Sequence, residues 1–248
     1  MQKEGKIMAL LITLFLSVAF VIGLLLAKLV KKRENVESFS VALAFGSMLG
    51  VVALDILPEM IKETADLRRL ISNLLFTVIG FGLLLLLDRF VPEHEGKEES
   101  KEGNLIHIGI MATLAIAIHN IVEGMSVYSV ALSSISSGLL LSLGVALHNI
   151  PMGMLIYSTT RGEKKSKALV TIIISSFSTF CGGIIMALLE SRITENVVLS
   201  LTSVALGMVL YILLMELLPS VIHSENKKKS FLYGLIGLII VFLGTLFE

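Results

Sequence analysis

Residues Leu105–Leu132 read LIHIGIMATLAIAIHNIVEGMSVYSVAL, with one carboxylate, Glu123, and no lysine or arginine. An apolar run of more than ~20 residues is long enough to cross a bilayer as an α-helix. Seven further runs flank this one, and none alternates polar and apolar residues as a membrane β-strand does. The sequence therefore predicts an all-α, polytopic membrane protein with eight transmembrane helices. The predicted spans are roughly Ile7–Val30, Phe39–Ile61, Leu70–Val91, Leu105–Leu132, Gly138–Ser158, Ala168–Glu190, Val197–Val221 and Phe231–Phe247.

The composition agrees with a single membrane domain. Hydrophobic residues make up 55% of the 248-residue chain, and the predicted spans leave no segment for a soluble domain. We therefore expect residues 1–248 to form one transmembrane domain surrounded by lipid. Lysine and arginine balance aspartate and glutamate, so the net charge points to no particular partner, and we expect none among nucleic acids.

The positive residues predict an orientation. Eight spans place both termini on the same side of the membrane. If the termini are outside, fourteen of the 20 lysines and arginines fall on inside loops and six on outside segments. Because positive loops stay in the cytoplasm, we predict a cell-membrane protein with both termini outside. The charged loop Pro92–Asn104 is then cytoplasmic, and we expect it to be mobile, with His94 in solvent rather than in a metal site.

Two short strings indicate an internal repeat. Span two closes with the string DILP, Asp55–Pro58, and span seven closes with the string ELLP, Glu216–Pro219. The two spans run in opposite directions, so the match predicts an inverted repeat, a common device in transporters. The order would be three helices, a central pair and three helices. Asp55 and Glu216 then have two possible roles. Either they are polar groups on an ion path, Asp55 on its outer part and Glu216 on its inner part, or they cap the ends of their spans.

Two further strings lie near the middles of spans four and five, HNIVEG at His119–Gly124 and HNIPMG at His148–Gly153. Polar groups at this depth are costly and usually mark a substrate or ion path. His119 and Glu123 are four residues apart, so they share one helix face. Antiparallel packing of the two spans would bring His148 to them. Imidazole and carboxylate suit a borderline divalent ion such as zinc, and we predict these three side chains as its ligands.

The neighbours of these ligands are open to two interpretations. Asn120 and Asn149 lie one residue off the ligand face, where they either support the ligands or join the helices. Met152 lies four residues after His148, as Glu123 lies four residues after His119. Because a thioether prefers softer ions, we assign Met152 to the site by its position and not as a predicted ligand. Pro151 cannot donate to the carbonyl of Leu147, which frees that oxygen for an ion or water.

The paired strings, the eight spans and the loop after span three resemble the ZIP (ZRT/IRT-like) divalent metal transporters over the whole chain. HNIVEG matches the family's span-four pattern, HN-x-x-E-G or a close variant, and HNIPMG its span-five pattern, H-N-x-P-E-G or similar. The resemblance implies uptake of a divalent metal into the cytosol. It also implies an elevator motion of spans one, four, five and six against the other four, often within a homodimer. The metal-site residues that it carries over are His119, Asn120, Glu123, His148 and Asn149.

The chain departs from the family's pattern at three places. Met152 stands where span five commonly has glutamate, and Val122 where span four often has proline. Residues 178–185 of span six contain no carboxylate, although many bacterial relatives have a glutamate there. These departures place in doubt a second metal position beside the first.

We therefore expect a transporter rather than an enzyme, with zinc as the first candidate and iron, manganese or cadmium as alternatives. The metal is the transported substrate, and no cofactor is expected. Two other functions remain open from the sequence. A His/His/Glu metal with a free coordination position would suit a membrane-embedded zinc-dependent hydrolase, although the HExxH motif is absent. Met152 would suit a transport-impaired relative that only binds metal.

Overall fold

The computed structural model describes residues 2–29, 33–63, 66–90, 101–161, 165–189 and 192–246. Within these ranges the ordered elements are all helical, which confirms the predicted all-α class. The elements are α1 Gln2–Leu29, α2 Arg33–Gly50, the π-helical segment π1 Val51–Ile56, α3 Leu57–Glu63, α4 Leu67–Asp88, α5 Lys101–Ser133, α6 Ile135–Thr160, α7 Lys165–Leu189, α8 Glu195–Tyr211, the π-helical segment π2 Ile212–Leu217, α9 Leu218–Ile222 and α10 Lys227–Gly244.

The helices lie at the places of the predicted spans. Seven helical stretches of the described chain are long and apolar enough to cross a membrane. The eighth span corresponds to α10, whose 18 residues begin with three lysines and continue as an apolar run. The outer faces are apolar; on α4, for example, Val78 is 66% exposed. So much exposed apolar surface suits lipid rather than water, and the protein is an integral membrane protein.

The loop between spans three and four is shorter than predicted. Lys101–Asn104 belongs to the first turn of α5, because no residue between Lys101 and the apolar run interrupts the helix. Residues 92–100, with His94, lie outside the described part of the chain.

The two matching strings, DILP and ELLP, adopt the same local structure. Asp55 is the fifth residue of π1, and Glu216 is the fifth residue of π2. In each case a short α-helix follows at once, with proline as its second residue. Two strings that match in sequence therefore match in backbone geometry, on spans two and seven.

Proline explains why the helix widens at these points. A proline inside a helix has no N–H to donate and its ring crowds the carbonyl four residues back. A π-turn relieves this by adding one residue to the turn. Just before Pro58, the Leu57 N–H donates to the carbonyl of Val52, five residues back. Leu218 and Leu213 form the same bond in π2.

Close helix pairs are built on reciprocal glycines. In the α1–α6 pair, a Cβ on Gly23 would overlap the Ile150 carbonyl, and one on Gly153 would overlap the Phe20 carbonyl. Small residues let membrane helices approach until their backbones touch. Three other pairs share this pattern. They are α5–α7 with Gly124 and Gly182, α2–α10 with Gly46 and Gly237, and α4–α8 with Gly80 and Gly207.

The four pairs combine into two groups of helices. The helices of α1–α6 and α5–α7 all contact one another, and α2–α10 and α4–α8 are joined through π1 and π2. The first bundle consists of α1, α5, α6 and α7, and the second bundle consists of α2, α4, α8 and α10 with the short elements π1, α3, π2 and α9. In an inverted repeat of this order, span one corresponds to span six and span four to span five, so the pair α1–α6 corresponds to the pair α7–α5. Span two likewise corresponds to span seven and span three to span eight, so the pair α2–α10 corresponds to the pair α8–α4. The pairing therefore has the form that the predicted inverted repeat requires, although the 3+2+3 arrangement itself remains a prediction.

We predict that the α4–α8 contact depends on Gly80. A Cβ there meets the Val204 backbone, which cannot rotate aside, so Gly80→Ala should destabilise the protein by about 1–3 kcal/mol, as overpacking does. Gly82 is the matched control, because nothing lies within 4 Å of a Cβ at that position of the same helix. Thermal unfolding in detergent, followed by size-exclusion chromatography, measures both variants. Equal unfolding temperatures for the two would contradict this packing.

Candidate metal centre

Three ionisable side chains meet where α5 packs against α6. His119 and Glu123 lie one turn apart on α5, and His148 faces them from α6. Nε2 of His148 is 2.7 Å from Oε1 of Glu123, and Nε2 of His119 is 3.6 Å from the same oxygen. One atom from each side chain lies within 4.8 Å of the other two. The structure thus brings the three predicted ligands together.

The cluster is enclosed by protein. The side chains of His119, Glu123 and His148 are 10%, 9% and 3% exposed. Ionisable groups removed from water are costly unless they are paired or bind a metal. Here one carboxylate stands between two imidazoles, so Glu123 provides the single formal negative charge of the three. This arrangement could hold a divalent cation through two nitrogens and an oxygen.

The two asparagines are buried beside the cluster. Nδ2 of Asn120 donates to the carbonyl of Ser175 on α7 at 3.4 Å, which joins two helices of the first bundle. Oδ1 of Asn120 has no hydrogen-bond partner within the described structure. Asn149 lies next to the carboxylate of Glu123. The amide nitrogen of Asn120 therefore joins helices, while its oxygen stays available for a ligand.

Met152 lies one helical turn beyond His148 and is 2% exposed. It belongs to the central apolar cluster of the protein. The helix α6 runs through the neighbouring Pro151 as a continuous element. A direct role for the Met152 sulfur or for the Leu147 carbonyl remains a prediction.

Glu216 is buried in a second cluster that sequence reasoning missed. His107 of α5 places Nε2 2.8 Å from Oδ1 of Asp88 and 3.4 Å from Oε1 of Glu216. His107 and His119 are twelve residues apart on α5, so the clusters lie about 18 Å apart along that helix. Asp55 belongs to neither cluster of metal-binding side chains in the described chain. The sequence offered one signal for this cluster. His107 is a histidine inside an apolar run, near the start of the run that follows Asp88 in the chain.

Sequence similarity to known proteins identifies the family of this chain. A family model described as "ZIP Zinc transporter" matches residues 92–247. The chain belongs to the ZIP family. It is 31% identical over 274 residues to the zinc transporter ZupT of Clostridium perfringens, covering 97% of this chain and 95% of that protein. The ZupT of Streptococcus mutans is 33% identical over 246 residues, with 91% of each chain covered.

A third relative, the ZupT of Corynebacterium glutamicum, is 34% identical over 247 residues, covering 91% of this chain and 93% of the relative. These matches confirm the family that the HN strings indicated. Because the family and its members are described as transporters, the prediction that this chain is not an enzyme is also confirmed. The hydrolase alternative gains no support from them.

Proposed function

We propose that this ZIP-family protein carries a divalent transition metal, zinc first, across the membrane toward the cytosol. The observation that carries the proposal is the cluster of His119, Glu123 and His148, buried at the middle of two spans with its three ligand atoms within 4.8 Å. The relatives named as zinc transporters support zinc over iron, manganese or cadmium. The metal is the substrate of this site rather than a resident cofactor.

The ligand geometry is close to what zinc needs. Zinc binds imidazole nitrogen and carboxylate oxygen at about 2.0–2.2 Å, so tetrahedral ligands lie roughly 3.3 Å from one another. The separations of 2.7 Å and 3.6 Å around Oε1 of Glu123 lie on either side of this value. Small side-chain rotations therefore suffice to admit an ion. Its arrival replaces the contact between Glu123 and His148.

The fold supports an elevator motion. All three central ligands belong to α5 and α6, so an ion bound there would move with the first bundle. The reciprocal glycine contacts lie within one bundle or the other, which favours two stiff units that slide past each other. Asp55 and Glu216 both belong to the second bundle, and we assign them to the outer and inner parts of the path. A homodimer, which the family resemblance implies, completes the proposal.

Metal uptake by the purified protein in lipid vesicles tests the function. We expect wild-type protein to accumulate zinc above protein-free vesicles, with iron, manganese, cadmium and copper measured beside it and the bound metal counted. Binding without uptake would overturn transport and identify a transport-impaired relative. The inactive control is Glu123→Ala in the same vesicles.

The proposed orientation is tested by labelling. Cys181 is the single cysteine of the chain and is exposed, so it is first replaced by serine. New cysteines at Lys3 and Ser100 should then react with an impermeant reagent from opposite sides of intact cells. The Lys3 position should react at once, and the Ser100 position only after permeabilisation. Equal labelling of both in intact cells would contradict a cytoplasmic 92–100 loop.

A further inference from the structure

A cavity of about 410 Å³ opens between three helices of the first bundle, and we call it the α7 cavity. Its volume is within the range of small-molecule sites. None of the described residues that line it belongs to either cluster of metal-binding side chains. The lining includes Ile106 and Ile110 of α5, Thr160 of α6, and Lys167, Val170 and Thr171 of α7.

One end of the α7 cavity is polar and positively charged. Ser166, Lys167 and Thr171 line it from the first two turns of α7. The hydroxyls of Thr159 and Thr160 on the facing wall donate to carbonyls of their own helix, so they close the cavity without offering donors. Lys167 is the one ionisable side chain among the described lining residues, and none of these residues is acidic. The wall therefore attracts an anion.

The other end of the α7 cavity is apolar and opens toward lipid. Ile106 and Ile110 lie one turn apart on α5, and Val170 faces them from α7. The side chain of Val170 is 55% exposed, and that of Ile174, one turn further into the span, is 48% exposed. The positive end thus lies where α7 enters the membrane, and an apolar strip leads from it toward the membrane centre.

The helix packing explains why a cavity forms here. Gly109 brings α5 close to α6, since a Cβ on it would lie 2.7 Å from Oγ1 of Thr159. The close contact of α5 with α7 lies at Gly124 and Gly182, about 16 Å further along α7 than Thr171. A gap therefore remains between α5 and α7 at this end, and a bound molecule would fill it.

We propose that the α7 cavity holds one phospholipid of net negative charge, with its phosphate at Lys167 and an acyl chain along Val170 and Ile174. Basic pockets between membrane helices on the cytoplasmic side bind anionic head groups in this way. The first N–H groups of α7 provide further donors to a phosphate. The assignment to the cytoplasmic leaflet rests on the proposed orientation. The lipid joins α5 to α7 and stabilises the first bundle.

Lipid binding to delipidated protein, titrated by native mass spectrometry, tests the site. The probes are phosphatidylglycerol and phosphatidylcholine with identical acyl chains, because both carry one phosphate and choline cancels its charge. We expect one phosphatidylglycerol per chain, held about fivefold or more tighter than phosphatidylcholine. Lys167→Gln should weaken it about fivefold, the usual size for one basic residue at a membrane surface.

Two further variants control for this charge. Lys165→Gln should bind phosphatidylglycerol as wild type does, because Lys165 is an exposed lysine of the same helical turn that does not line the α7 cavity. Lys167→Arg keeps the positive charge and should retain the preference for phosphatidylglycerol. Equal weakening in Lys165→Gln and Lys167→Gln would indicate attraction to the surface as a whole and would overturn the site.

Thermal unfolding tests whether the lipid stabilises the protein. Phosphatidylglycerol at ten times its half-saturating concentration should raise the unfolding temperature by roughly 3–5 °C. The shift should be small in Lys167→Gln and of full size in Lys165→Gln. Each variant is compared with and without lipid, so a loss of stability caused by the substitution itself cancels. Wild-type protein that binds phosphatidylglycerol without any shift would overturn the stabilising role.

The remaining outcomes distinguish the source of the anion. Equal affinity for the two lipids would show that the α7 cavity does not recognise charge, and it would overturn the proposal. Displacement of phosphatidylglycerol by millimolar inorganic phosphate would identify a site for free phosphate instead of lipid. None of these measurements requires transport, so a failure of metal uptake would overturn the proposed function and leave this result unchanged.

Discussion

Replacing Glu123 with alanine is expected to abolish metal uptake. Glu123 is the single carboxylate of the central cluster, and Oε1 contacts both imidazoles. Removing one partner of a buried charged pair costs about 3–5 kcal/mol. Since 1.4 kcal/mol is tenfold in an equilibrium constant, this corresponds to a loss of metal affinity between roughly 100-fold and roughly 4,000-fold. His119→Ala and His148→Ala should each also abolish most transport, because each removes one nitrogen ligand.

The measurement is initial zinc uptake per inserted protein, with insertion checked by size-exclusion chromatography of each variant. His223→Ala is the matched histidine control, since His223 is exposed and outside the central cluster. Glu123→Gln keeps the shape of the side chain but removes its charge. We expect it to lose zinc uptake nearly as completely as Glu123→Ala. Near-normal uptake by any two of the three alanine variants would place the transport site elsewhere.

A second large effect is expected at Met152. The central cluster has one formal negative charge, so one divalent ion leaves it at +1 and two would leave it at +3. Two such ions about 4 Å apart repel by roughly 16 kcal/mol at an effective dielectric constant of about 20. We therefore expect wild-type protein to hold one metal ion at its centre. Met152→Glu adds the missing charge and should raise zinc affinity about tenfold or more, a gain of ~1.4 kcal/mol.

The same change should make a second, weaker ion easier to add and should slow release, because a tighter site gives up its ion less readily. Calorimetry and metal counting on wild type and Met152→Glu measure both effects. Met152→Gln is the control, since it matches glutamate in size without its charge. Two fully occupied central ions in the wild type would refute the charge argument. Weaker zinc binding in Met152→Glu would instead identify the sulfur as a ligand.

Much of the central site could be predicted because its information is local. The spacing of His119 and Glu123 places both on one helix face whatever surrounds that helix. The string repeated at His148, at a similar depth in the next span, then leaves antiparallel packing as the simple way to join them. The structure brings the three together within 4.8 Å. Met152 repeats the same four-residue spacing from His148, but a thioether prefers softer ions, so the spacing alone does not assign its sulfur to the ion.

The cluster of Asp88, His107 and Glu216 could not be predicted in the same way. Asp88, His107 and Glu216 come from three spans, and no spacing along the chain relates the third residue to the other two. Their meeting depends on how α4 and π2 pack against α5. The π-turns were also not expected, although Pro58 and Pro219 explain them once the helices are seen.

The sequence by itself determined the membrane character, the places of the long helices and the residues of the central cluster. It could do so because hydrophobic length and helical spacing are properties of a single segment. Tertiary structure alone decided which helices form each bundle and which charged side chains meet between them. Gly23 and Gly153, for example, acquire their role only when two backbones touch. Such contacts depend on the relative placement of whole helices, which no single segment encodes.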